Sequence, residues 1–170
     1  MPPGRGHHFR RNVNEIANDP AAFLADTVFV PDVKASDKHG LLSAVADAVA
    51  AAGLVPPERR DEIMRCLMER EKTMSTGMQY GVAIPHARTQ AVAKLSTLVA
   101  VAPAGVPFDA LDGEPSTIFI VTLSPPEDAN SHIRFLAAMT RELSNRRTRE
   151  NVLAARDKAE FAAAFSRPAG

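Results

Sequence analysis

The chain has 170 residues, 45% hydrophobic and 24% charged, enough for one domain that buries about two-thirds of its unfolded surface without covalent staples. Its 20 basic residues balance 20 acidic ones, which excludes a whole-molecule electrostatic grip on nucleic acid or anionic lipid. The one cysteine, Cys66, excludes an internal disulfide and any multi-cysteine metal site.

Residues 1–22 hold Pro2, Pro3, Gly4, Gly6 and Pro20, the pair His7-His8 and only scattered apolar residues. They read as an extension ahead of a domain expected over 23–170. Arg5, Arg10 and Arg11 have no apolar stretch behind them, so they do not form a secretory signal. No run approaches the roughly 18 apolar residues of a membrane span, and a cytoplasmic domain without membrane insertion is expected.

Val28-Phe29-Val30 is a short strand. Ser36 is placed to cap a helix whose Leu41, Leu42, Val45, Ala48, Val49 and Ala52 recur at helical spacing, with Gly53 ending it. A second helix opens at Pro56-Pro57, with Ile63, Met64, Leu67 and Met68 facing inward and Cys66 as a packing residue. Gly81-Val82-Ala83-Ile84 is a strand that stops at Pro85-His86. Leu98–Val101 and Ile118–Leu123 are nearly continuous apolar runs, the mark of strands covered on both faces. A helix follows from about Ser131, capped by Asn130 or Ser131, with Ile133, Leu136, Ala137, Thr140 and Leu143 along one face. Two short helices close the chain, the second capped by Asp157 with Glu160. Arg146, Arg147 and Arg149 read as solvated surface at a helix end, where cations suit the dipole. The fold class is therefore α/β: a central mixed β-sheet flanked by helices on both faces, in a single domain.

The charge-free stretch Thr73 to Ala87 ends at His86. A buried strand stopping at Pro-His delivers an imidazole to the sheet's carboxyl edge, where open α/β sheets keep their ligands. His132 falls in the first turn of a helix after another buried strand, where free N–H groups and the helix dipole favour an anion. No phosphate-binding glycine loop, dinucleotide fingerprint, H-E-x-x-H or G-x-S-x-G is present. A Ser-His-Asp arrangement stays open; so does a histidine that is itself the nucleophile, neutral at cell pH.

The run from Arg70-Glu71 through Ser75-Thr76-Gly77 to Val82-Ala83-Ile84-Pro85-His86-Ala87 resembles the histidine signature of type-2 IIA domains. These form the fructose/mannitol and nitrogen-regulatory branch of the phosphoenolpyruvate-dependent phosphotransferase system. The resemblance extends from Phe23 to about Phe165. It implies that His86 carries a phosphoryl group, with Arg70 and His132 in the same site and no cofactor or metal. It implies a histidine phosphocarrier protein as donor and a IIB component or a regulatory target as acceptor. Arg88, Thr76 and Ser75 are further candidates for bonding the phosphoryl group, although Arg88 could equally face a partner, and serine and threonine before a glycine are often turn formers. Gln79 departs from the glycine or alanine usual in the family, which bears on loop geometry. The 170 residues contain neither a IIB-type domain nor a membrane segment, so a transport role would call on separate partners. That leans towards the regulatory branch.

Overall fold

The computed structural model describes residues 20–166. Of the extension expected over 1–22, residues 20–22 open the first helix, while the rest, with its His7-His8 pair, lies outside the described residues. In chain order the helices are α1 (Pro20–Asp26), α2 (Lys38–Ala51), α3 (Arg60–Thr73), α4 (Ala129–Leu143), α5 (Arg146–Ala154) and α6 (Lys158–Ala163), with a 3-10 turn at Pro57–Arg59. The strands are β1 (Val28–Val30), β2 (Val82–Ala83), β3 (His86–Arg88), β4 (Ser96–Val106) and β5 (Ser116–Ser124).

One five-stranded mixed sheet results. β4 and β5 run antiparallel at its centre, β1 lies parallel to β4, and β2 and β3 lie parallel to β5. Val82 pairs with Ile118 and His86 with Thr122, so β2 and β3 keep one register across Ile84-Pro85. Proline has no N–H for the ladder, but its carbonyl still accepts from Thr122 N at 3.2 Å. The strand expected to stop at Pro85 therefore resumes, and His86 opens β3 instead of following a strand end.

Strand alternation divides the core in two. Leu98, Ala100, Phe119, Val121 and Leu123 face α2 and α3. Val99, Val101, Ile118 and Ile120 face α1, α4, α5 and α6. Phe119, Phe135 and Phe161 are fully buried, each contributing roughly 1.5–3 kcal/mol by leaving water.

Several local expectations shift. Asp37, not Ser36, caps α2, its carboxylate accepting from Gly40 N at 2.7 Å. Asp128, not Asn130 or Ser131, caps α4 by accepting from Ser131 N. In both, a carboxylate lies three residues before an otherwise unpaired N–H, the geometry a cap requires. The buried side of α4 is His132, Phe135, Ala138, Met139 and Leu143, while Ile133 is 59% exposed. The inner face is thus one residue, about 100°, away from the stripe expected from Ile133 and Ala137; the sheet takes the larger Phe135 and Met139.

The arginine cluster also differs. Arg146 and Arg147 open α5, where a cation opposes the helix dipole. Arg149 instead donates to the carbonyls of Leu143 and Ser144 at the end of α4 and lies over the Tyr80 ring. Tyr80 and Gly81 both have positive φ in the turn that leads into β2, closed by Val82 N donating to the Gln79 carbonyl. The left-handed positions are therefore 80 and 81, and a glutamine at 79 imposes no strain on this loop.

Candidate functional site

The site forms where β3, α3 and the start of α4 converge. Thr122 shares the strand face of Ile118 and Ile120, so it points towards α4. Its Oγ1 lies 2.7 Å from His132 Nδ1. Because His86 pairs with Thr122 across the sheet, the two imidazoles meet with centroids 4.7 Å apart at 42°. Arg70 arrives from the last turn of α3. Its Nε donates to His86 Nε2 at 2.9 Å, and its Nη1 donates to the Met74 carbonyl at 2.9 Å.

Two contacts decide the tautomer of His86. Nδ1 is 2.9 Å from the Ile84 carbonyl, which can only accept, so Nδ1 carries the proton. Nε2 receives a bond from a guanidinium that is always protonated, so Nε2 holds a lone pair. Burial pushes the His86 pKa below its ordinary value, and the cations Arg70 and Arg88 push the same way against the Ile84 carbonyl. His132 is held lower still, at about 4, by burial first and then by His86, Arg88 and Arg70. Both rings are neutral at pH 7. The arrangement can offer a fixed imidazole lone pair beside a permanent cation, which suits attack on an anionic electrophile.

The structure thus brings together Arg70, His86 and His132. Arg88 lies two residues along β3 from His86, on the same strand face, and is exposed. An open cleft of about 510 Å³ is lined by Cys66, Glu69, Arg70, Thr73, His86 and Arg88. Burial raises the Cys66 pKa, so it remains a thiol at pH 7. A larger groove of about 740 Å³ between α4, α5 and α6 holds none of these residues. Thr76 does not line this cleft: it is buried, and its hydroxyl donates to Glu71 Oε2 at 2.6 Å. Among the described residues, no three His, Cys, Asp or Glu side chains gather as metal ligands would.

Sequence reasoning missed Thr122 and Glu71. Thr122 interrupts the apolar run of β5, and Glu71 continues the Ile63, Leu67 stripe by one more turn. A polar residue at a core position was the available signal in each case.

A parallel sheet margin carrying a histidine, faced by an arginine and a second histidine, defines a class of anion-handling α/β domain. Comparison narrows the class. The chain belongs to the family described as the phosphoenolpyruvate-dependent sugar phosphotransferase system, EIIA 2, which it matches over residues 22–167. It is 35% identical to the "PTS system fructose-specific EIIA component" of Haloferax volcanii, over 71% of this chain and 77% of that one. It is 28% identical to a "Nitrogen regulatory protein" of Bradyrhizobium diazoefficiens, over 79% and 86%. The crystal structure of nitrogen regulatory protein IIA-Ntr from Neisseria meningitidis superposes with a TM-score of 0.75 at 25% identity, covering 85% of this chain and 99% of that one. The Escherichia coli complex of enzyme IIA-mannitol with phosphorylated enzyme IIB-mannitol shares the fold at a TM-score of 0.66 and 19% identity, covering 81% and 92%. No helix among the described residues is long and apolar enough to cross a membrane.

Proposed function

We propose that His86 Nε2 accepts a phosphoryl group from a small phosphocarrier protein that bears it on its own histidine. The observation that carries this reading is the pair of contacts on one ring: Nδ1–H on the Ile84 carbonyl and Nε2 facing Arg70. In the transfer, the Nε2 lone pair forms the new N–P bond as the donor's N–P bond breaks, its electrons returning to the donor imidazole. The His86 proton stays on Nδ1, where the Ile84 carbonyl supports the positive charge the ring gains. Arg70 gives up the lone pair it covers and turns its N–H groups to the phosphoryl oxygens; such transfers rest on positioning and charge neutralisation. His132 adds a neutral donor, and Arg88 a second cation at the cleft mouth.

Onward transfer to a thiol of a IIB component is supported by the Escherichia coli complex of IIA-mannitol with phosphorylated IIB-mannitol, and a sugar-linked route by the fructose-specific name of the Haloferax relative. The nitrogen regulatory relatives favour a second reading, in which phosphorylation of the same histidine changes which protein is bound. Both readings place the domain in the cytoplasm, with the phosphoenolpyruvate that feeds the relay.

Intact mass after incubation with phosphoenolpyruvate, enzyme I and the phosphocarrier tests the shared step. One acid-labile phosphoryl group is expected on the wild type and none on His86→Ala. Labelling that survives in His86→Ala would overturn the assignment. A purified IIB protein added to the phosphorylated domain then separates the two readings by whether it takes up the label.

A further inference from the structure

We propose that Glu71 is a positioning residue for this site: its buried carboxylate holds the Thr76 peptide, which in turn places the Ile84 carbonyl that fixes the tautomer of His86. The inference rests on His86 being the phosphoryl acceptor.

The Glu71 side chain is only 3% exposed and forms an ion pair with Lys38 at 3.1 Å. Its other bonds run to a single residue, Oε1 accepting from Thr76 N at 2.9 Å and Oε2 from Thr76 Oγ1 at 2.6 Å. The carbonyl of Thr76 accepts from Ile84 N at 3.0 Å, and the carbonyl of Ile84 accepts from His86 Nδ1. Three hydrogen bonds, joined through the backbone of Thr76 and of Ile84, therefore link a buried carboxylate to the imidazole of His86. The same clamp sets Arg70. Glu71 follows it on α3, about 100° around the helix, so one turn sends a cation to the cleft and an anion into the core. The loop that Glu71 holds begins with Met74, whose carbonyl orients the Arg70 guanidinium.

A carboxylate used only to fill space would be a poor choice here, because an unpaired buried charge is strongly unfavourable and an apolar side chain packs at least as well. What the charge adds is direction. It accepts two bonds from one residue while Lys38, anchored also to Asp109 at 2.8 Å and set over the Phe108 ring, holds it from the other side. Gly77 seals the far end of the loop: a Cβ there would stand 2.7 Å from Ala110 Cα. The loop is held from both ends and has little freedom to move the Ile84 carbonyl.

The test uses ¹⁵N imidazole spectra of the whole protein above the pKa of His86, together with phosphorylation kinetics. The wild type should show His86 as the Nδ1–H tautomer. Glu71→Gln and Thr76→Val should each shift the tautomer ratio towards Nε2–H by about fivefold, the equivalent of one net hydrogen bond of about 1 kcal/mol. Each should lower kcat about tenfold with the KM for the donor unchanged, and Thr76→Ser should restore both quantities. Thr76→Val leaves the Lys38 pair intact and carries the test if Glu71→Gln does not fold. Folded variants with the wild-type tautomer ratio and kcat would overturn the proposal. The spectra do not need a phosphoryl donor. A tautomer shift in a protein that is never labelled would therefore sink the acceptor reading alone.

Discussion

On the α3 side of His86, the groups that meet the site are charged or tied to charge: Arg70 on the lone pair, with Glu71 and Lys38 behind it. On the α4 side they are neutral, a second imidazole and a threonine hydroxyl. The difference follows from what each side must do. In the proposed transfer, a permanent cation would attract the phosphoryl oxygens at any physiological pH, but a second cation on the other side would further disfavour the positive ring formed in that step. A neutral His132 can give a hydrogen bond without that penalty, and its depressed pKa keeps it neutral.

Removing the charged side should have the largest effect. Arg70→Ala is expected to slow phosphorylation by about 10²–10³-fold, the usual loss for one preorganised electrostatic donor, while the fold and melting temperature change little. Arg70→Lys should recover part of the rate, because an ammonium supplies charge without the guanidinium's planar fork. Stopped-flow labelling with the phosphorylated carrier measures both. A rate within threefold of wild type for Arg70→Ala would erase the contrast between the two sides.

The neutral side should reveal itself in stability against pH. His132 titrates near 4 in the folded chain and near 6.5 when unfolded. As pH falls from 6.5 to 4 the unfolded chain takes up the proton first, so stability is full above about 6.5 and declines towards 4. His132 alone contributes at most about 3 kcal/mol to that decline. His132→Gln should flatten the corresponding part of the curve, read as urea midpoints at pH 7 and pH 4.5. An unchanged slope would mean that His132 is charged in the native state and that the α4 side is not neutral.

How much of this was legible before the structure depended on where the deciding contact lay. β4 and β5 could be read from their apolar runs, since strands buried on both faces leave that mark in any context. Arg70 and His86 came through the resemblance of one contiguous signature, whereas His132, 46 residues further on, was read from its place in the first turn of a helix after a buried strand and from the wider family resemblance. The inner face of α4 was not legible. Ile133, Leu136 and Ala137 make one apolar stripe, Phe135, Ala138 and Met139 another beside it, and helical period does not choose between them. The choice is made in three dimensions, where Phe135 stacks edge-on against Phe23 and His132 meets Thr122. The pairing of Glu71 was hidden for a similar reason. Its place after Ile63 and Leu67 on α3 was readable, but its countercharge, Lys38, comes from a different helix, 33 residues away, so the pairing is seen only once the two helices pack. Thr76 looked like a site residue because it sits in the signature, yet its hydroxyl is committed to Glu71.

Thr122→Val gives a smaller effect that sharpens the comparison. The hydroxyl lost is fully buried, and valine keeps its volume while leaving His132 Nδ1 without a partner. Transfer should fall about tenfold through a misoriented His132, since an imidazole's orientation is set by the bond its other nitrogen makes. The ¹⁵N signals of His132, rather than those of His86, should change. If His86 moves instead, the two sides are mechanically coupled through the β3–β5 ladder, and the separation of charged from neutral roles fails.

The smallest expected effect concerns how the α4 side is held. Asp128 caps α4 through Ser131 N at 3.1 Å, four residues before His132. Asp128→Ala should destabilise the protein by about 1 kcal/mol, the ordinary cost of losing a carboxylate cap, and fray the first turn. Asp128→Ser should recover most of that stability. Because His132 also rests on Thr122 and the His86 ring, fraying should lower the phosphorylation rate only a few fold. On the proposed role of Arg70, a permanent charge acts on the phosphoryl group directly, whereas the cap acts only by keeping a neutral ring in place. A rate loss for Asp128→Ala as large as that for Arg70→Ala would show that the start of α4 itself, with its free N–H groups, binds the transferred group.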